Sequence, residues 1–392
     1  MLTLAADMSS SDVACPEGAV DLRIEVATDL ASAERTWRAF EAEAIASPYQ
    51  RFDWISAFLE AGSEMRVATA RDRAGRPALL LPLRLTRRAG VTVATTVGGK
   101  HANFQVPMAA GSVKLAPADA TGLLREIGRA VGADTLSMSS VPVAWDGTPN
   151  PFSAAGSPSP SNAYQVRLGP DPDETALRTM TADARKRLRN KERGLAKLGT
   201  VEFAQARDPA EVERIYQAFF RQKDERFREL GIPDPFAEDA IRDAMWKGAL
   251  DGLADGRPAI ELYGLSVDGR VVAVLGGAAD RNRLSGMFVS FESSTDIAKF
   301  SPGDILVSRI IREQSIRGRH FFDLGVGEAR YKRTFCNETL DLVDVHLPVT
   351  AKGSAYAAIA EAALGLKRRI KKNPRAMALL SRARRAKAAT IG

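Results

Sequence analysis

The 392-residue chain is 45% hydrophobic and 26% charged, an ordinary globular mix, and it is longer than one hydrophobic core usually fills, so two domains are expected. The net charge of +7 sits in the tail: residues 351–392 hold 11 Lys/Arg and one acid, leaving 44 Lys/Arg against 47 Asp/Glu in residues 1–350. Two cysteines and three scattered histidines argue against a disulfide framework or a zinc site, and the absence of a bilayer-length apolar run or a signal-peptide pattern makes the cytoplasm the expected location.

Residues 1–20 are expected to be disordered. Residues 21–27 (DLRIEVA) alternate in the manner of a strand. Trp37, Phe40, Ala44 and Ile45 recur at helical spacing and predict a helix over 32–46. A turn at Ser47-Pro48 enters a second helix reaching about residue 61. Strands over 65–72 and 77–87, joined by Arg73-Ala74-Gly75-Arg76, carry a hairpin signal, and 91–97 adds a further strand. A loop with Lys100, His101 and Asn103 follows, then a helix over 118–131 and a strand over 135–141. Residues 146–162 are rich in Gly, Pro and Ser and mark a loop or boundary. A strand resumes at 164–168.

In the second half the pattern predicts one basic helix over 173–198, a strand over 200–204, and helices over 209–230 and 237–254. A three-strand meander over 259–291, a helix over 302–317 and a short strand over 320–324 follow. Both halves therefore run helices, hairpin, helix, strand, which hints at a duplicated αβ domain. The expected division is 21–170, 171–350 and a basic helical tail over 351–392.

Four clusters carry residue types that do chemistry. Ser301 is a natural N-cap and Pro302 a natural first-turn residue. The free N–H groups of that helix start, with Gly303 and Asp304 beside them, suit a pyrophosphate, and equally an ordinary capped helix. In the second cluster a Phe-rich strand ends near Asp323, Gly325 and Gly327 make a loop, and Glu328, Arg330, Tyr331, Lys332 and Arg333 crowd together. Asp323 or Glu328 can act as general base; Tyr331 and Lys332 can donate a proton or hold an anion. Third, Arg185 and Arg189 lie four apart on the basic helix and can share a phosphate, although a solvated face has the same pattern. Fourth, His101 and Asn103 are candidate substrate contacts. There is no Gly-x-Ser-x-Gly elbow, Walker loop, His-Glu-x-x-His helix or kinase motif set.

Arg185-x-x-x-Arg189 with Arg193 and Leu195, the Ser301-Pro302-Gly303 turn, and Phe322-Asp323-Leu324-Gly325 followed by Gly327-Glu328 and Tyr331-Lys332-x-x-Phe335 together resemble a known family. They are similar to the CelD/BcsL (cellulose biosynthesis) acetyltransferase branch of the GNAT superfamily, related to the FemABX aminoacyltransferases. The likeness covers about 175–345, and more loosely 21–170. It implies an α/β (α+β) fold of tandem GNAT-like domains, each a mostly antiparallel sheet flanked by helices. It also implies acetyl-CoA or another acyl-CoA as donor, no metal, and transfer to an amine or hydroxyl on a sugar or cell-envelope polysaccharide acceptor. The donor would meet Ser301, Gly303 and Asp304; Asp323, Glu328, Tyr331 and Lys332 would be catalytic; Arg185, Arg189, His101 and Asn103 would hold substrate. Ser301-Pro302-Gly303-Asp304 stands where the family has spaced glycines, which leaves aminoacyl-tRNA, the FemABX donor, as the alternative. A non-catalytic module of a polysaccharide complex is a third possibility. The basic tail suits an anionic membrane surface or an acidic partner, which would make the chain peripheral at the inner membrane.

Overall fold

The computed structural model describes residues 22–373. Expectations for residues 1–20, Cys15 and residues 374–392 lie outside the described residues.

The first half runs β1 (Arg23–Ala27), α1 (Leu30–Glu41), α2 (Phe52–Phe58), β2 (Glu64–Arg71), β3 (Pro77–Arg88), β4 (Val91–Thr96), β5 (Met108–Ala109), α3 (Pro117–Ala130) and β6 (Thr135–Pro142). The Pro- and Gly-rich segment makes three short strands, β7 (Ala144–Trp145), β8 (Thr148–Pro149) and β9 (Gly156–Pro158), before β10 (Ala163–Arg167). The second half contains α4 (Pro172–Thr179), α5 (Ala182–Leu195), β11 (Val201–Gln205), α6 (Pro209–Leu230), α7 (Asp239–Leu250), β12 (Ile260–Val267), β13 (Arg270–Ala279) and β14 (Arg283–Phe291). Then come α8 (Thr295–Ala298), α9 (Pro302–Ile316), β15 (Phe321–Val326), α10 (Arg330–Phe335), β16 (Glu338–Leu340), β17 (Leu342–Pro348) and α11 (Ala351–Lys372).

Local chemistry sets several of these boundaries. Asp208 caps α6 by accepting from the Glu211 N–H, and Gly231 ends it at φ +61°. The single basic helix expected over 173–198 is two helices. Met180 is extended, and the Thr181 hydroxyl accepts from the Ala184 N–H at 3.2 Å, so the chain restarts there with a fresh cap. The stretch expected as a loop after residue 325 contains the short helix α10.

Two large sheets result. The first has the order β1-β2-β3-β4-β6-β17-β9, with β5 on β3; the second has β11-β12-β13-β14-β15-β10-β16. The halves exchange strands. β10 precedes residue 170 yet pairs with β15 in the second sheet, and β17 follows the second half yet pairs antiparallel with β6 in the first. One apolar core also crosses between the halves, bringing Trp37, Tyr49, Trp54 and Phe104 together with Ile215, Tyr216, Phe219 and Phe288. Arg51 ties the seam by donating to the carbonyls of Pro258 and Ala279. Among the described residues no helix is long and apolar enough to cross a membrane.

Candidate active site

The site begins where β14 loses its neighbours. β14 and β15 are parallel and stay paired only from Arg283↔Phe321 to Ser285↔Asp323, although β14 continues to Phe291. On its other edge the register with β13 slips between Gly276↔Phe288 and Gly277↔Gly286, leaving Met287 as a bulge residue. Past Ser285, then, β14 is open on its β15 side while β13 still pairs with Phe288–Phe291 on the other, and an edge of this kind can serve a ligand amide or carbonyl.

A cleft of about 620 Å³ opens at that point. Val289 and Phe291 of β14 line it, with Ser301, Gly303 and Asp304 at the start of α9, Arg187 and Lys191 on α5, and Arg330, Tyr331 and Phe335 on α10. Ser301 sits at φ +49°, a conformation costly for a residue with a Cβ, and it turns the chain sharply into α9. Lys191 Nζ donates to Ser301 Oγ at 2.8 Å and to Asp304 Oδ2 at 3.1 Å. Among the described residues Arg187 and Arg330 form no ion pair, so this end of the cleft carries cations in excess at a helix N-terminus. Burial raises the Tyr331 phenol to about 12, so it stays protonated and able to donate at neutral pH.

Behind the strands lies a buried polar network. Asp323 is fully buried; its Oδ1 accepts from Ser285 Oγ at 2.8 Å and from the Gly325 N–H at 3.1 Å, and its Oδ2 accepts from Arg283 at 3.3 Å. Ser285 Oγ lies 2.7 Å from the Tyr49 hydroxyl, which accepts from Asn103 Nδ2 at 2.8 Å. The same Asn103 amide donates to the Gly286 carbonyl at 2.9 Å. Arg283 is also buried: it donates to Gln165 and Asp146 at 2.8 and 2.9 Å and lies 4.0 Å from the Trp145 ring centroid. Burial lifts the Asp323 carboxyl to about 6, against the opposing pull of Arg283 and Ser285.

The residues singled out by sequence therefore separate. Ser301, Gly303, Asp304 and Tyr331 share the cleft. Asp323 and Asn103, 220 positions apart, join through Ser285 and Tyr49. Gly325 stands at φ +74°, and a Cβ there would come within 2.8 Å of the Asn103 amide, so both its conformation and its neighbour require glycine. Lys332 is buried and donates to the carbonyls of Gly325 and Val326 at 3.1 and 3.0 Å, bracing the loop. Glu328 is at the surface, paired with Arg333 at 2.9 Å. Arg185 and Arg189 line a different groove, between α4, α5 and α9. His101 lines a small cavity with Asn103. Tyr49, Arg283, Ser285 and Asp146 were not picked out; a charged Arg283 opening an otherwise apolar strand was the one visible signal.

Residues 182–333 match the family model described as acetyltransferase (GNAT) domain. The match takes in most of the cleft and the Asp323 loop, and it gives the chain its class, an acyltransferase. Fold similarity reaches further along the chain. FemX aligns with a TM-score of 0.58 at 10% identity, covering 86% of this chain and 99% of that one. L-PGS from Bacillus licheniformis aligns at 0.50 and 11%, covering 83% and 95%, and a conserved protein of unknown function from Bacteroides thetaiotaomicron at 0.50 and 11%, covering 83% and 100%. At these identities the likeness is one of fold. No curated protein matches the sequence. Two mixed, mostly antiparallel sheets with flanking helices describe the molecule, and the GNAT match falls on the α/β unit of the second.

Proposed function

We propose that this acyltransferase takes its acyl group from an acyl-CoA thioester and passes it to an amine or hydroxyl. The observation that carries the reading is the cleft: it connects the N-terminal turn of α9 and the cations Arg187, Lys191 and Arg330 to the stretch of β14 that β15 leaves unpaired. A pyrophosphate suits the basic end, and a thioester carbonyl suits the bulge at Met287. Attack on that carbonyl forms the new bond to nitrogen or oxygen and breaks the C–S bond. Tyr331 then supplies the proton that the departing thiolate needs. Asp323 is enclosed by its hydrogen-bond partners, and its role here is to position Ser285, Tyr49 and Asn103. The resemblance to the CelD/BcsL branch implies an acceptor of the sugar or envelope-polysaccharide kind.

Calorimetry with acetyl-CoA tests the donor. Binding in the micromolar range, weakened at least tenfold by Lys191→Glu (about 1.4 kcal/mol), supports the reading; no binding at millimolar concentration overturns it. Transfer from aminoacyl-tRNA is the second reading. It is favoured by Lys186, Arg187, Arg189 and Arg193, exposed on α5 and without ion pairs among the described residues. Steeply salt-dependent tRNA binding without CoA affinity selects it.

A further inference from the structure

The donor cleft leaves one basic motif unused, Arg185-x-x-x-Arg189 on α5. α5 has two working faces. Ala184, Arg187, Leu188 and Lys191 look into the donor cleft. Arg185, Leu188, Arg189 and Glu192, spaced i, i+3, i+4 and i+7, look into a second, open groove of about 660 Å³ between α4, α5 and α9. Leu188 and Met180 border both spaces.

The groove follows from the break at Met180. α4 ends there and α5 starts afresh at Thr181, so two helices rather than one lie over α9. Ion pairs hold each of them to it. Arg312 of α9 pairs with Asp173 of α4, and Arg309 Nε donates to Glu192 of α5 at 3.0 Å. The third acid of the groove, Glu313, accepts from Arg317 at 2.8 Å. Its acids are thus engaged, and two of its cations are not. Among the described residues Arg185 and Arg189 form no ion pair. Arg185 gives an N–H to the Met180 carbonyl, which leaves most of its five donors unused, and Arg189 forms no hydrogen bond.

The rest of the lining is apolar. Met180 and Ile305 are buried, and Phe203 and Leu188 are half-buried beside them. At the rim Leu177 of α4 and Ile316 of α9 are 59% and 68% exposed, bulky aliphatic side chains left to water. A soluble anion would use the arginines and leave this surface wet. A neutral hydrocarbon would cover it and leave two cations unanswered. An anionic amphiphile satisfies both parts of the lining.

We propose that this groove is a lipid site, in which Arg185 and Arg189 hold the phosphate of an anionic glycerophospholipid and its hydrocarbon lies against Leu177, Leu188, Phe203 and Ile316. Arginines four apart on one helix can take a phosphodiester together, each through paired N–H groups. In a bilayer Leu177 and Ile316 enter the interface beside that headgroup. Lys186 and Arg193, exposed on the same helix, add attraction to an anionic surface. The site is separate from the donor cleft and does not depend on which donor that cleft takes.

The test is calorimetry of the full chain with dihexanoyl-phosphatidylglycerol kept below its micelle concentration, beside dihexanoyl-phosphatidylcholine and glycerol 3-phosphate. We expect saturable binding of the phosphatidylglycerol and little of the other two. Arg185→Gln with Arg189→Gln should weaken it at least tenfold and remove most of its salt dependence. Leu177→Asp, a change at an exposed rim position, should weaken it several-fold while the salt dependence stays. Leu366→Asp on α11 should leave it unchanged, which separates the groove from any lipid contact of that helix. Equal binding of glycerol 3-phosphate would make the groove an anion site without a lipid, and equal binding of the phosphatidylcholine would take the arginines out of it. Either result overturns the proposal, as does native affinity in the double arginine variant or the absence of binding by the native chain.

Discussion

Asp323 has no exposed surface, yet it is held by Arg283, Ser285 and the Gly325 amide. Burial raises its carboxyl from an ordinary 3.8 to about 6. Between about pH 4 and pH 6 the folded chain therefore holds a proton that the unfolded chain has released. Stability contributed by this group is full below pH 4 and is lost as pH rises through 6, on the order of 2–3 kcal/mol across the window. Urea unfolding at pH 4, 5, 6 and 7 checks this: Asp323→Asn should remove that downward component, and an unchanged pH dependence would refute the assignment. Sequence brought attention to Asp323, because a carboxylate ending a Phe-rich strand before two glycines is conspicuous. Its partners were not legible. Tyr49 and Ser285 are common residues in unremarkable positions, and only the fold places them 2.7 Å apart.

Period and caps made most elements readable. α6 occupies the residues expected, with Asp208 and Gly231 as its signals, and within the meander β12 turns into β13 at Asp268-Gly269. The α4–α5 break was missed because no Gly or Pro marks it; the only cue was Thr181 with Asp183 in the following turn. Losing that cap through Thr181→Ala should cost about 1 kcal/mol in thermal or urea unfolding; a change within error would mean the cap contributes nothing. α11 bears on a different question. Ile359 is 71% and Leu366 58% exposed, and Lys367, Arg368 and Arg369 follow on the same helix. A helix of this kind is expected to lie on anionic lipid. Sedimentation with vesicles containing phosphatidylglycerol should capture the chain at low salt and release it at high salt or on Leu366→Asp. Equal capture by neutral vesicles would contradict the electrostatic part.

At the level of the molecule, composition and alternation announced two αβ units, but pairing across long sequence distances was out of reach. β17 alternates well, with Leu342, Val343, Val345 and Leu347 buried, yet nothing local says that its partner is β6. The strand exchange makes a concrete prediction. Fragments 22–170 and 171–373 should each lack a cooperative unfolding transition, because each sheet is missing a strand, and they should recover it when produced together. Two independently cooperative fragments would show that the exchanged strands are dispensable.

The exchange also sets a timetable for synthesis. β6 is complete at residue 142, and the strand that covers its edge starts at residue 342, roughly 200 residues later. At a ribosomal rate of about 5–20 residues per second, that edge stays open for roughly 10–40 s in every newborn chain. An open strand edge is a template for pairing with a neighbouring chain, so crowded polysomes are where this protein is most exposed to misassembly. The last strand made is the latch that closes the first sheet begun, and a ribosome stalled short of residue 348 leaves that latch undone.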